Sequence, residues 1–163
     1  MPTSSRALRL GATAFLTDLC LYLVWVAIPY KAIALGASAA QLGILATVSS
    51  TAYVLTSLLS GSLSDRVSRL LLARIGAVIF ASGCVLILRA ESYAAMLPRL
   101  PLLGLGMGFF WSPIQAAMAD EASADGLEGN IGLFNVAWSS GKAMGFVLGG
   151  ILAAKINHMP APA

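Results

Sequence analysis

Three ionisable residues lie inside or beside long apolar segments of this sequence: Asp18, Arg99 and Lys142. A charged group within the hydrocarbon of a membrane is costly, so such residues usually belong to a substrate or ion pathway. A carboxylate at this depth can take up and release a proton, and a cation can pair with the carboxylate or bind a substrate. Proton transfer or substrate binding is therefore the chemistry that these three residues indicate.

Asp18 and Lys142 are expected to lie at similar depth. At about 1.5 Å per helical residue, Asp18 lies roughly 15 Å from Leu8 along the first segment, and Lys142 roughly 18 Å from Asn130 along the last. The two side chains could then pair, and the alternative to a functional pair is a structural one. For Arg99 the alternative is an interfacial arginine near a helix start, with its charged head extended to the membrane surface.

The composition indicates that the solvent of this chain is lipid. Of its 163 residues, 58% are hydrophobic and 10% are charged, whereas soluble domains average about 25% charged residues. The net charge of +3 is small and gives no reason to expect nucleic acid as a partner. Cys20 and Cys84 lie in apolar runs and are interpreted as small buried hydrophobes, without metal-ligand spacing or an argument for a disulfide.

Five apolar segments reach the length of about 20 residues that a spanning helix requires. They cover residues 8–34, 39–60, 70–88, 94–119 and 130–154, and Ser38 is predicted to cap the second. The segments are too long for buried strands. The sequence therefore predicts an all-α polytopic membrane protein, and the first segment is interpreted as a retained span, since it is too long for a signal peptide.

The basic residues predict an orientation. Short loops rich in Lys and Arg lie on the cytoplasmic side of a membrane. Residues 61–69 form such a loop between the second and third segments, and Arg6 and Arg9 precede the first. We therefore expect a cytoplasmic N-terminus and an inner (plasma) membrane location. The loop 120–129 is acidic although it should also be cytoplasmic, but acidic residues contribute little to this rule.

The loop 61–69 reads Gly-Ser-Leu-Ser-Asp-Arg-Val-Ser-Arg and resembles the signature between the second and third helices of the major facilitator superfamily. The matching positions are Gly61, Leu63, Asp65, Arg66 and Arg69. Two positions depart from it, since Ser68 stands where the family usually has Gly and Leu70 where it usually has a second basic residue.

The resemblance implies a gating role for this loop, which braces one half of the transporter against the other in the outward-facing state. Asp65 is then expected at the cytoplasmic end of the second helix. We expect it within reach of Arg66 or Arg69, or of Asp120 through an arginine.

Small residues mark the last segment, whose glycines are Gly132, Gly141, Gly145, Gly149 and Gly150. Small residues at every fourth position let two helices approach closely in lipid. The spacing resembles the fifth-helix motif of the superfamily's antiporters, except that Phe146 stands where that motif has Pro. The resemblance favours export and an interdomain role for this face, and ordinary helix packing is the alternative.

The fourth segment also carries glycines, Gly104, Gly106 and Gly108, which are predicted to form one smooth stripe. Pro113 is predicted to break the helix toward its cytoplasmic end. The resemblance makes Arg99 the candidate for the arginine that precedes these glycines in the family.

The resemblance implies secondary active transport by alternating access, in which two six-helix halves rock around a site near the membrane midplane. Proton-coupled efflux of drugs or metabolites is the expected activity, and sugar or organic-acid uptake is the alternative within transport. The expected partners are the lipid bilayer, a small-molecule substrate and H⁺. No cofactor, metal or enzymatic activity is expected, because the sequence has neither a Gly-x-x-x-x-Gly-Lys-Ser/Thr motif nor a catalytic triad.

Five spans are fewer than the family's twelve. Residues 1–163 are therefore predicted to form part of the N-terminal six-helix half of a truncated transporter, which needs the missing C-terminal half or a second copy. The face of Gly141, Gly145 and Gly149 is expected to lack its partner, the opposite half, so the chain alone is expected to be unstable or to self-associate in detergent, and to transport nothing. The alternative is a nonfunctional fragment or a small membrane assembly protein.

Overall fold

The computed structural model describes residues 5–121 and 127–157. Its long helices are α1 (Ser5–Ala34), α2 (Ala39–Ser64), α3 (Arg69–Leu88), α5 (Leu100–Asp120) and α6 (Leu127–Asn157). The short helix α4 (Tyr93–Met96) and a 3₁₀ turn (Leu97–Arg99) lead directly into α5. No strand occurs within the described ranges.

Five helical stretches are long and apolar enough to cross a membrane. They are Ser5–Ala34, Ala39–Ser64, Arg69–Leu88, Tyr93–Asp120 and Glu128–Lys155. This confirms the predicted all-α polytopic fold. The second helix continues past residue 60, where the sequence analysis ended it. Its last turn tolerates polar residues because Ser62 and Ser64 donate hydrogen bonds to the carbonyls of Leu59 and Gly61, at 3.0 and 2.7 Å.

A tight turn separates α1 from α2. Gly36 has a positive φ of 81°, which glycine adopts without steric cost. Ser38 then caps α2, as predicted: its Oγ accepts from the Gln41 backbone N–H at 3.3 Å, and its own N–H donates to Gln41 Oε1 at 2.7 Å. This reciprocal capping box satisfies two backbone donors at the start of the helix.

The described residues divide into two compact units. One contains α1 up to Lys31 together with α6, and the other contains α2, α3, α4 and α5. In the second unit, α5 packs against both α2 and α3. Each unit is held by close helix contacts at glycines.

The glycines of α5 lie on two faces. A Cβ at Gly108 would lie 2.6 Å from Thr56 Cβ on α2, and one at Gly106 would lie 2.6 Å from the Phe80 backbone nitrogen on α3. Gly104 faces α2, the same helix that Gly108 faces. The predicted single stripe is therefore wrong, because residues two apart on a helix point about 200° apart.

Helix α5 also runs through Pro113 to Asp120. The prediction that Pro113 breaks the helix is therefore wrong. Proline removes one backbone hydrogen bond, but the turns that follow it are anchored by buried side chains, since Ile114, Ala117 and Met118 are each at most 4% exposed.

Two buried serines of α2 add hydrogen bonds to this packing. Ser60 Oγ donates to the Gly108 carbonyl at 2.8 Å, and Ser49 Oγ donates to the Leu100 carbonyl at 3.1 Å. Hydroxyl groups placed between membrane helices in this way hold them together without exposing a polar atom to lipid.

In the other unit, α6 packs its glycines on α1. A Cβ at Gly141 would overlap the Phe15 carbonyl oxygen. A Cβ at Gly145 would lie 2.7 Å from the Leu19 carbonyl oxygen, and one at Gly149 would lie 3.0 Å from Val26 Cβ. The expectation that this face lacks a partner is therefore wrong, because α1 covers it. At Gly132 and Gly150 a Cβ would have nothing described within 4 Å, so the five glycines do not act as one surface.

Candidate functional site

Asp18 lies in the middle of α1, with the residue only 2% exposed. The glycine contacts explain this burial. A Cβ at Gly145 would lie 3.3 Å from the Asp18 carbonyl oxygen, so the backbones of α1 and α6 approach closely at the level of Asp18. A carboxylate is thus enclosed within an apolar span, where its charge must be balanced or removed by a proton.

Lys142 lies on α6, one turn before Gly145. Its Nζ lies 4.8 Å from the centroid of the Tyr22 ring and 5.7 Å from that of Trp138. A cation over an aromatic face at such distances is attracted by the negative charge of the ring face. The ring of Phe146 packs against Tyr22, with centroids 4.6 Å apart.

Lys142 and Asp18 act on one another without a direct ion pair. The positive charge of Lys142 influences the Asp18 carboxyl, yet the part of the chain that the structure describes contains no ion pair between them. The direct pairing that the sequence allowed is therefore not formed, and the ammonium lies over the Tyr22 and Trp138 rings.

Arg99 belongs to the unit of α2, α3 and α5. Its Nη1 donates to the Leu86 carbonyl oxygen at 3.1 Å. Leu86 lies in the last turn of α3, where backbone carbonyls lack helical partners. Arg99 thus closes the end of α3, a contact that accords with the interfacial alternative for this residue.

The loop between α2 and α3 is tied to the end of α5. Arg69, the first residue of α3, forms an ion pair with Asp120, the last residue of α5. Asp65 is the C-cap of α2 and, within residues 5–121 and 127–157, takes part in no ion pair. The link to Asp120 therefore runs through Arg69 and does not involve Asp65.

The remaining matching positions of the loop have local roles. The Leu63 carbonyl accepts from the backbone N–H groups of Arg66 and Val67, both at 3.0 Å. A Cβ at Gly61 would meet no described atom within 4 Å. The structure therefore gives no steric reason for glycine at this position.

Sequence reasoning missed two features. Arg6 forms an ion pair of 2.7 Å with Glu121. The sequence also did not decide which aromatic residues surround Lys142. Their spacing was a signal within each helix only, since Tyr22 follows Asp18 by four residues and Trp138 precedes Lys142 by four, and residues four apart share a helix face.

The five long apolar helices define an all-α polytopic protein of the membrane-spanning class. A family model described as Major Facilitator Superfamily matches residues 10–160, so the chain belongs to the major facilitator superfamily and is a transporter of that superfamily. A comparison with curated proteins gave no match.

Proposed function

We propose that the protein is a proton-coupled secondary transporter that exports a small molecule, and that Asp18 carries the coupling proton. The observation that carries this proposal is the enclosure of Asp18, 2% exposed, in the middle of an apolar span. The charge of Lys142, on the neighbouring helix α6, acts on this carboxyl. Protonation removes the charge of Asp18, and deprotonation leaves it balanced by Lys142.

Alternating access would couple the proton to the substrate. When the site opens to one side of the membrane and then to the other, Asp18 meets water of different proton activity in turn. A carboxyl that gains a proton on one side and loses it on the other can drive substrate the opposite way. The glycine spacing of α6, which resembles that of the antiporters, supports export over uptake of sugars or organic acids.

A second proposal concerns the loop between α2 and α3, which we assign to gating. It is supported by the ion pair between Arg69 and Asp120, which fastens the start of α3 to the end of α5. Forming and breaking this pair would favour one conformation of the transporter over another. Asp65 contributes to this loop as the cap of α2.

The coupling role is tested in inside-out vesicles that contain the full-length protein. Accumulation of ethidium, chloramphenicol and fluorescein, which represent cationic, neutral and anionic probes, is measured with and without a proton gradient. Asp18→Asn is expected to abolish gradient-driven accumulation while it spares energy-independent exchange. Glu91→Gln, which changes an exposed carboxylate outside the spans, is the matched control and is expected to behave like the wild type.

Persistence of gradient-driven accumulation in Asp18→Asn, with unchanged pH dependence, would show that Asp18 is structural. Failure of the wild type to accumulate any of the three probes would contradict export.

A further inference from the structure

An ammonium group already occupies an aromatic site in this protein. The Nζ of Lys142 lies 4.8 Å from the centroid of Tyr22 and 5.7 Å from that of Trp138. The two rings come from different helices, α1 and α6, so the site exists only because these helices pack together. Phe146, with its centroid 4.6 Å from that of Tyr22, supports the Tyr22 ring from α6.

The charges around this site favour a positive occupant. The ring faces present negative electrostatic potential to the ammonium, and the enclosed carboxyl of Asp18 lies on α1 four residues before Tyr22. If Lys142 moved away, the Asp18 carboxylate and the two ring faces would lose its positive charge. Such an arrangement is complementary to an organic cation.

We propose that the transported molecule is an organic cation, and that its ammonium group replaces Lys142 Nζ over the rings of Tyr22 and Trp138. This inference rests on the proposed function and names its substrate class. Lys142 then acts as an internal occupant, which keeps the site filled in the absence of substrate. Its flexible stem of four carbons allows the ammonium to withdraw.

An organic anion is disfavoured by the same geometry. To bind Lys142, an anion would have to draw the ammonium away from the Tyr22 and Trp138 faces that it already contacts. It would also be repelled by the ring faces and by the Asp18 carboxylate. The aromatic site therefore selects cations over anions by charge alone, whatever the shape of the substrate.

The inference is tested by equilibrium binding to the purified full-length protein, without a proton gradient. The probes are benzyltrimethylammonium and benzenesulfonate, which resemble one another in size and carry opposite charge. The variants are Tyr22→Leu, Trp138→Leu and Lys142→Met. Trp25→Leu, which changes another aromatic residue of α1, serves as the matched control.

The wild type is expected to bind benzyltrimethylammonium and not benzenesulfonate. Loss of one ring should weaken cation binding about three- to tenfold, and Trp25→Leu should leave it unchanged. Lys142→Met should strengthen cation binding, because the internal competitor is removed. A gain in affinity cannot arise from misfolding, so this variant keeps the test decisive.

Binding of benzenesulfonate that is lost in Lys142→Met would overturn the inference, as would cation binding that is unaffected by all three substitutions. These outcomes are separate from failure of the proposed function. If cation binding follows the expected pattern but Asp18→Asn still accumulates probe on a gradient, the aromatic site stands and the coupling role of Asp18 fails. If anions alone bind while Asp18→Asn loses accumulation, coupling stands and the inference fails.

Discussion

At Lys142, two attractions act on a single ammonium group. The carboxyl of Asp18 attracts it by charge, and the rings of Tyr22 and Trp138 attract it through their faces. The ammonium lies over the rings, and no ion pair with Asp18 is formed in the described ranges. Asp18 therefore keeps a charged neighbour without a direct ion pair, an arrangement that suits the proposed coupling role.

The ion pair of Arg69 with Asp120 permits a prediction at the same scale. The two side chains are 27% and 58% exposed, and pairs this exposed contribute about 0–1 kcal/mol to stability. Arg69→Gln and Asp120→Asn should therefore change the midpoint of unfolding little, yet both should change the transport rate if the pair acts in gating. The measurements are thermal unfolding in detergent and initial rates of probe accumulation in vesicles.

Arg89→Gln, at the opposite end of α3 and exposed, is the control for loss of one positive charge. Exchange of the two charges, in the double variant Arg69→Asp with Asp120→Arg, should restore part of the rate. Equal rates in the wild type and in both single variants would remove the gating role.

The candidate site could be predicted from the sequence only in part. Asp18 and Lys142 are conspicuous because charge is rare in apolar segments, and the rise per residue places them at similar depth. The position of the Lys142 ammonium could not be predicted in the same way. It depends on which rings the packing of α1 and α6 places beside it, and one of these, Tyr22, belongs to the other helix.

At the scale of the helices, the contact of α6 with α1 depends on some glycines and not on others. Gly145→Val should destabilise the protein by about 1–3 kcal/mol, because the new side chain would displace the backbone of α1. A Cβ at that position would lie 2.7 Å from the Leu19 carbonyl oxygen. The effect is measured as the shift in unfolding midpoint of the purified protein.

Gly150→Val is the matched control on the same helix. It makes the same change in helix propensity, but a Cβ at Gly150 would have no described atom within 4 Å. Equal changes of stability in the two variants would show that the contact of Gly145 with α1 is unimportant.

The helices themselves were predictable because each apolar run is long and ends at polar or turn residues such as Ser38. Their partners were less predictable. Glycine spacing correctly indicated that α5 and α6 each pack closely on a neighbouring helix. It did not indicate that α5 uses two faces, or that α1 covers the glycines of α6. Those outcomes depend on the arrangement of several helices, which a local pattern does not contain.

At the scale of the whole molecule, the charge distribution permits a prediction of orientation. The arginines of the α2–α3 loop predict that this loop is cytoplasmic. In a variant with Cys20 and Cys84 replaced by Ser, Ser68→Cys should react with a membrane-impermeant maleimide from the cytoplasmic side only. Glu91→Cys, in the next loop along the chain, should react from the opposite side only.

Labelling of both cysteines from the same side would contradict the assignment of α3 as a spanning helix. Labelling in the reverse order would keep the span and invert the orientation. Side-specific labelling in intact cells and in inside-out vesicles separates the two results.

The contact between Gly76 of α3 and Gly106 of α5 bears on how this sequence can change over evolutionary time. A Cβ at Gly76 would lie 2.6 Å from the Gly106 carbonyl oxygen, and one at Gly106 would lie 2.7 Å from the Gly76 carbonyl oxygen. Each residue is obstructed by the main chain of the other, so no compensating replacement at the second position can relieve a replacement at the first. Mutational drift at these two positions is therefore blocked jointly, and descendants of this sequence that retain the α3–α5 contact are expected to retain both glycines.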